Sequence, residues 1–352
     1  MARGALKVIH VGLGPIGQGV AKLVAETEGL QVVGAADLAP DTAGKDLGVL
    51  LGLNRKLKVK VAGNPEAFVR KARADVAILC TSSSLKVVKP QVAALVQRGM
   101  NVVSTCEEMA YPSPANASIF RDLDNLARKK KVSVLSTGVN PGYTMDALAL
   151  MLTAPCAKVT RVAVTRVVDA GTRRLPLQRK VGAGLNLSQF RRAITEGTVR
   201  HVGLPESVYM IAAGLGWKLD RVEETLEPAI APRDLDTDYL RIPAGAASGI
   251  LQHARGFIKG EPVITLDLQM HVGADSPRDH VLVEGTPPID MTISGGVAGD
   301  IATAAIVVNA IPKVLAAPPG MLTMKDLPLV HRFNPLEVKE LAGRGKGKGR
   351  KR

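Results

Sequence analysis

The chain has 352 residues, 46% hydrophobic, 22% charged and only 3% aromatic, with a formal net charge of +14 at pH 7. That length is enough to bury a sizeable core and fits two domains. With so few aromatics the core must be built from Val, Leu, Ile and Ala, and stacking platforms for single-stranded nucleic acid are excluded.

Much of the charge is local. Arg344, Lys346, Lys348, Arg350, Lys351 and Arg352 close the chain with no acidic residue among them, leaving +8 on the rest. The Gly-rich segment 342–352 has too little apolar surface to pack, so it is expected to be a disordered tail; nucleic acid is expected to touch the protein only weakly, through this tail. Cys80, Cys106 and Cys156 show no paired spacing, which points to a reducing, cytoplasmic setting. No targeting segment is visible and no apolar run approaches the ~18 residues of a membrane span, so no membrane association is expected. The six histidines (His10, His201, His253, His271, His280 and His331) are scattered without metal-ligand spacing, and no metal site is expected.

In chain order, Lys7 to Val11 reads as a buried strand. Gly12, Gly14 and Gly17 follow in the spacing G-x-G-x-x-G, with Pro15 and Ile16 opening a helix. A second apolar run ends in Asp37, twenty residues past Gly17. The first glycine permits a tight turn, the second lets a pyrophosphate approach the backbone, and the third lets the helix pack on the sheet. The helix N-terminus offers unpaired N–H groups to phosphate, and the acid suits a ribose 2′-hydroxyl. A glycine turn in an ordinary α/β domain is the plain alternative, since the chain has 35 glycines, but strand, glycines, helix, strand and acid stand in register.

Further on, Val59 to Ala62 reads as a strand, Pro65 to Lys71 as a helix, Asp75 to Cys80 as a buried strand and Lys86 to Gln97 as a helix. Asn101 to Thr105 is a strand, Ile119 to Lys130 a helix, and Val132 to Leu135 a strand. This alternation predicts an α/β fold whose N-terminal part is a doubly wound, Rossmann-type parallel sheet over residues 1–140. An apolar helix over 144–152, a basic strand over Lys158 to Val168, a charged loop and long alternating runs such as Pro262 to Val272 and Asp290 to Ser294 predict a second domain over 141–300. That domain is expected to be α+β, with a mainly antiparallel sheet for substrate binding and dimerisation. The Ala-rich helix from Ile301 to Val314 opens a segment, 301–335, expected to return to the first domain.

Two places can carry chemistry. Thr81, Ser82, Ser83 and Ser84 follow a parallel strand where a dinucleotide crevice opens, and the first three are candidate cofactor contacts, although helix capping explains hydroxyls there equally well. Glu107 and Glu108 follow another strand; paired and desolvated, such carboxylates suit general acid–base work near neutral pH. The alternative is an exposed acidic pair capping the next helix. Cys106 as a thioester-forming nucleophile competes poorly with a small buried residue. His201, before a helix expected to start at Pro205, is either a substrate-domain residue or a surface or capping histidine.

Seven stretches, GLGPIG, AGKDLG, TCEEMAYP, LSTGVNPGY, HVGLPES, IAAGLGWKLDRVEET and PGMLTMKDLP, together resemble the 2,4-diaminopentanoate dehydrogenases and related native amine dehydrogenases over about residues 7 to 330. The resemblance implies NAD(P)-dependent oxidative deamination of an amine or diamino acid, and the reverse reductive amination of a ketone or aldehyde with ammonia. It implies a catalytic glutamate at Glu107 or Glu108, with Glu107 favoured as the first residue off the strand. It also implies a loop of Asn140, Pro141 and Gly142 beside the nicotinamide, and a homodimer. Val168 to Gly184, with Arg173, Arg174, Arg179 and Lys180, is more basic than in the diaminopentanoate branch, which leaves the amine open. The His-His pair and PSGT segment of dihydrodipicolinate reductases are absent, and Glu107 stands near where homoserine dehydrogenases carry a lysine. Asp37 favours NAD over NADP, with Lys45 and Arg55 as possible partners for a 2′-phosphate. The rivals are another Rossmann oxidoreductase acting on a hydroxy acid or imine, and a non-catalytic dinucleotide-sensing module.

Overall fold

The computed structural model describes residues 5–335, 338, 340 and 341; the basic tail at 342–352 lies outside the described residues. The described residues divide into two compact units, one made of those up to 142 together with those from 298 on, and one of 143–297.

The first unit is a parallel sheet with helices on both faces. In chain order it comprises β1 (Leu6–Val11), α1 (Pro15–Glu26), β2 (Leu30–Ala36), α2 (Leu47–Leu50), β3 (Val61–Ala62), α3 (Pro65–Lys71), β4 (Val76–Leu79), α4 (Leu85–Gln97), β5 (Asn101–Ser104), α5 (Ala117–Lys130) and β6 (Ser133–Ser136). The second unit holds α6 (Ala147–Leu152), β7 (Lys158–Asp169), α7 (Leu175–Lys180), α8 (Leu187–Thr195), α9 (Leu204–Gly214), β8 (Arg221–Ile230), β9 (Leu235–Asp236), β10 (Arg241–Ile242), β11 (Ala247–Ile258), β12 (Glu261–His271), β13 (Arg278–Thr286) and β14 (Ile289–Ser294). The chain then adds α10 (Gly299–Ala316) and β15 (Gly320–Leu322) to the first unit.

The first sheet has the order β15-β6-β5-β4-β1-β2-β3, with every pairing parallel. Its strands are nearly continuous apolar runs because both faces are covered. Ile9 and Val11 of β1 join Leu85, Val88, Val92, Leu95 and Val96 of α4 in one core. These α4 positions recur at i, i+3, i+7, i+10 and i+11, one helical face, and each such side chain removed from water contributes roughly 1.5–3 kcal/mol. Against the other face α10 packs on α1, β5 and β6. By length and composition α10 is apolar enough to cross a membrane, although Asp300, Asn309 and Lys313 interrupt its apolar run. Its Val307, Val308, Ile311 and Val314 are buried in this unit. The strand β15 was not foreseen; three residues carry too little pattern to be read.

The second unit is a mixed sheet of order β14-β13-β7-β12-β11-β8, antiparallel except for β7 beside β12. Val162 and Val164 of β7, Ile264, Leu266 and Leu268 of β12, Ile250 and Ala254 of β11, and Val281 and Val283 of β13 alternate into one core shared with α9. In that layer Arg166 and Asp279 form a buried ion pair at 2.5 Å, closed by the backbone carbonyl and N–H of Val297. The segment expected as a charged loop after β7 instead folds into a short 3₁₀ turn and α7. Pro176 near the start of α7 and Gln178, whose amide bonds the carbonyl of Arg173, organise it. The helix expected from residue 144 begins only at Ala147, where the buried carboxylate of Asp146 caps it.

Candidate active site

Along the first sheet the C-terminal ends of β2, β1, β4, β5 and β6 follow one another. Each delivers one predicted segment: Asp37, then Gly12–Gly17, then Thr81–Ser83, then Glu107 and Glu108, then Asn140–Gly142. Neighbours β1 and β4 diverge in connection, so this is the switch point at which open α/β sheets bind ligands.

The three glycines have separate steric reasons. Gly12 has φ +92°, and a Cβ there would sit 2.4 Å from the carbonyl oxygen of Cys80. A Cβ on Gly17 would lie 2.1 Å from the carbonyl oxygen of Gly12. Over Gly14 there is open space, with nothing within 4 Å of a Cβ. Gly14 is the N-cap of α1 and makes no side-chain cap, and Pro15 opens the helix. Open backbone and helix N–H groups are what a pyrophosphate requires. The carboxylate of Asp37 accepts the N–H of Leu13 at 2.5 Å through one oxygen and that of Ala39 at 2.7 Å through the other. It thereby braces the glycine loop, and each oxygen keeps a lone pair for a ribose hydroxyl. These residues fit a nicotinamide dinucleotide. Of the two cations considered for a 2′-phosphate, Arg55 is held on the carbonyl of Ala25 at the end of α1.

The hydroxyl residues after β4 are used locally. Thr81 bonds the side chain of Gln91 at 2.6 Å, and the Ser82 hydroxyl accepts the N–H of Ser84. Ser84 is the N-cap of α4 but its side chain does not cap it; the carboxylate of Glu108 accepts the N–H of Leu85 at 2.8 Å instead. The acidic pair thus caps a helix, as one reading allowed, but it caps the preceding helix α4 and does so through Glu108.

Glu107 is not the first residue off β5. Thr105 and Cys106 intervene, and Glu107–Met109 forms one 3₁₀ turn. Four groups fix this turn. The Ser104 hydroxyl accepts the N–H of Cys106, that of Ser136 donates to the Cys106 carbonyl at 2.6 Å, the Ser83 carbonyl accepts the N–H of Glu108, and Asn116 donates its amide to the Glu108 carbonyl at 2.7 Å. None of Ser104, Asn116 and Ser136 was singled out from the sequence, because their partners lie 2, 8 and 30 residues away and only the fold aligns them. Cys106 is fully buried, its thiol on the Ser83 carbonyl, and burial pushes that thiol up. Burial, with the charge of Glu107 adding to it, raises Cys80 to about 12. Neither thiol is a thiolate nucleophile near neutral pH.

The loop after β6 carries a cis Asn140–Pro141 peptide and Gly142 at φ +125°, where a Cβ would meet the Thr137 hydroxyl at 2.5 Å. Thr303 of α10 accepts the N–H of Val139 at 3.2 Å and packs beside Gly138. The loop is therefore indexed to α10 as well as to the sheet.

Residues 143–340 match the family described as 2,4-diaminopentanoate dehydrogenase C-terminal domain, and residues 6–109 match dihydrodipicolinate reductase, N-terminus. A 2,4-diaminopentanoate dehydrogenase of Acetoanaerobium sticklandii is 32% identical over 335 residues, covering 92% of this chain and 94% of the relative. The chain belongs to the 2,4-diaminopentanoate dehydrogenase family. With membership comes the activity class, NAD(P)-dependent oxidoreduction at an amine. An amine dehydrogenase of Streptomyces virginiae is 24% identical, covering 90% of this chain and 95% of that one. The structure of an amine dehydrogenase from Mycobacterium smegmatis superposes with a TM-score of 0.83 at 23% identity, covering 94% of this chain and 98% of that one, which shows the shared fold.

In this member of the diaminopentanoate dehydrogenase family, His201 lies in the second unit. Its backbone N–H and carbonyl pair with the side-chain amide of Gln252 at 2.9 and 2.7 Å, and α9 begins at Leu204 with Gly203 in the left-handed region. Burial, then the charges of Lys180 and Arg166, lower its pKa to about 3, so the imidazole is neutral at ordinary pH.

Proposed function

We propose that the protein oxidatively deaminates an amine or a diamino acid of the 2,4-diaminopentanoate kind, and catalyses the reverse amination of a ketone or aldehyde with ammonia. Glu107 is the general base and NAD the preferred cofactor. The observation that carries the reading is the order of segments along one sheet edge, from Asp37 through the glycine loop to Glu107 and the Asn140–Gly142 loop.

Gly12, Gly14, Pro15, Ile16, Gly17 and Asp37 would hold the adenosine and pyrophosphate. Thr81, Ser82 and Ser83 would line the middle, and Asn140, Pro141 and Gly142 would flank the ring. The nicotinamide, when bound, supplies a two-electron acceptor for the amine-bearing carbon. Glu107 takes a proton from the substrate ammonium and passes it to solvent; as a carboxylate again it takes a proton from the water that adds to the iminium carbon and returns it to the carbinolamine nitrogen, whose collapse releases ammonia and the carbonyl product. A positioned base of this kind contributes typically 10²–10⁴-fold. Glu108 keeps its carboxylate on α4 and supports Glu107 through the backbone. Asp37 would repel a 2′-phosphate, and Arg55 on the Ala25 carbonyl supports the NAD preference.

The six-stranded sheet supports a homodimer. On β11, β12 and β13 the residues that alternate away from the helical core, such as Leu251, Gln269 and Leu282, remain half-buried in the single chain. A second copy laid on this face would finish their burial. The thiols of Cys80, Cys106 and Cys156 are all free, which supports a reducing cytoplasm.

The decisive experiment is a panel of amines, diamino acids, alcohols and hydroxy acids assayed by NAD+ reduction at alkaline pH. Turnover confined to amines, with ammonia-dependent NADH oxidation in reverse, is the expected result. Turnover of hydroxy acids without any amine would overturn the proposal.

A further inference from the structure

Glu107 sits on a backbone whose two flanking peptide planes are held separately. On one side the carbonyl of Cys106 shares its peptide plane with the N–H of Glu107, and it accepts the Ser136 hydroxyl at 2.6 Å. On the other side the N–H of Glu108, in the plane that follows Glu107, donates to the Ser83 carbonyl at 3.2 Å. Two fixed planes leave the Cα of Glu107 little freedom, because φ and ψ are the only soft backbone torsions between them. The Ser83 contact is backbone and independent of side-chain identity. The Ser136 contact rests on a single hydroxyl, which is 1% exposed and placed by the last residue of β6.

The neighbouring strand repeats the device. The Ser104 hydroxyl donates to the carbonyl of Leu79 at 2.9 Å and accepts the N–H of Cys106 at 3.1 Å. Ser104 thus ties β5 to β4, while Ser136 ties the exit of β5 to β6. The longer contact from Ser136 to the carbonyl of Ser104, 3.2 Å, shares the same proton and is the weaker of the two. Nothing in strand pairing requires a hydroxyl at 136. The β5–β6 ladder is complete in backbone bonds at Val102, Val103 and Ser104, and an apolar residue would suit a fully buried strand end equally well. The Cys106 carbonyl has left the ladder and accepts the N–H of Met109 at 3.0 Å inside the 3₁₀ turn; the Ser136 hydroxyl is the contact that ties it, and the turn with it, to β6.

We propose that Ser136 is a positioning residue for Glu107: its hydroxyl fixes the Cys106–Glu107 peptide plane and so aims the carboxylate at the amine nitrogen. The inference rests on Glu107 being the base. Removing the hydroxyl leaves the Cys106 carbonyl with only the N–H of Met109, at 3.0 Å within the turn itself, and loosens the turn's tie to β6, moving the carboxylate at the end of a three-bond lever.

The test is a double-mutant cycle on the full-length protein, with single-turnover NAD+ reduction as the readout and a preferred amine from the panel above. Ser136→Ala should lower the single-turnover rate on the order of 10- to 100-fold, since displacements near 1 Å cost about that much. It should leave the NAD dissociation constant within about threefold, because no atom of Ser136 belongs to the glycine loop. Ser136→Thr, which keeps the hydroxyl, should restore most of the rate. In a Glu107→Gln background, Ser136→Ala should have almost no further effect, because groups that act as one unit are not additive. An equal loss in both backgrounds, or an unchanged rate for Ser136→Ala while Glu107→Gln is inactive, would overturn the positioning role alone. Full activity of Glu107→Gln would overturn the reading beneath it and the inference with it.

Discussion

The carboxylate of Glu108 accepts the N–H of Leu85, closing the first turn of a helix that began 23 residues earlier in the chain. The pair Glu107–Glu108 is therefore divided by position, one carboxylate committed to a helix terminus and the other carried on the turn beside it. Loss of a helix N-cap costs about 1 kcal/mol. Glu108→Ala should lower unfolding stability by about that amount, measured by urea titration, whereas Glu108→Gln keeps an acceptor oxygen and should retain most stability and turnover. A Glu108→Gln variant as inactive as Glu107→Gln would reverse the assignment of roles.

The glycine loop allows fold and cofactor effects to be separated. Gly14 has an ordinary φ of −61° and open space around its Cα, so Gly14→Ala should leave the melting temperature unchanged. The same methyl would occupy the approach of the pyrophosphate, and NAD affinity should drop by roughly tenfold or more. Gly17→Ala forces a methyl against the Gly12 carbonyl and should lower both quantities. Calorimetric unfolding and NAD titration of the two variants check this; unaltered NAD binding in Gly14→Ala would place the pyrophosphate elsewhere.

His10 is the last residue but one of β1, fully buried, with neither ring nitrogen bonded within the protein. Burial lowers its pKa from 6.5 to about 3. The unfolded chain therefore binds a proton below pH 6.5 that the folded chain refuses, and stability falls as pH drops from 6.5 toward 3, by about 1.4 kcal/mol per unit for one such group. His201 contributes with the same sign. His10→Leu, similar in volume and apolar, should be more stable than the parent at pH 5, with the gap narrowing by pH 7.5. Parallel pH dependences in denaturant titrations would show that His10 is not the group responsible.

Arg166 and Asp279 are both buried, and each is also tied to the backbone of Val297. Removing one charge of such a pair strands the other and costs about 3–5 kcal/mol. Asp279→Asn should destabilise the second unit by that order, read as a lower denaturant midpoint. A loss under about 1 kcal/mol would mean that the guanidinium finds water once its partner is gone.

What was legible in the sequence was local. The run from β1 to Asp37 was readable because strand period, glycine spacing and helical period all fall within one short stretch, each with one physical cause. The parallel sheet followed from repeated alternation, and α3 was read with its observed bounds, Pro65–Lys71, from its opening proline. The illegible parts depend on distance or brevity. The parallel pairing of β7 with β12 joins strands about a hundred residues apart, and no periodicity records which strand lies beside which. The helix α7 is six residues long, too short for a helical period to show, and lies in a run of basic residues, so it read as a loop. At the site, the residue types Glu107 and Glu108 were visible, but their division of labour was not: it depends on Leu85, Ser83 and Ser136, which only the folded sheet brings alongside.

The role of Glu107 as the base of amine oxidation is tested most directly by measuring turnover and NAD dissociation together on Glu107→Gln. Glutamine preserves shape and hydrogen bonding but cannot take the proton, so kcat should fall by about 10²- to 10⁴-fold. NAD affinity should stay within about threefold, because Gly12, Gly14, Gly17 and Asp37 are untouched. A variant that binds NAD normally and still oxidises amines at more than a tenth of the parental rate would contradict the assignment.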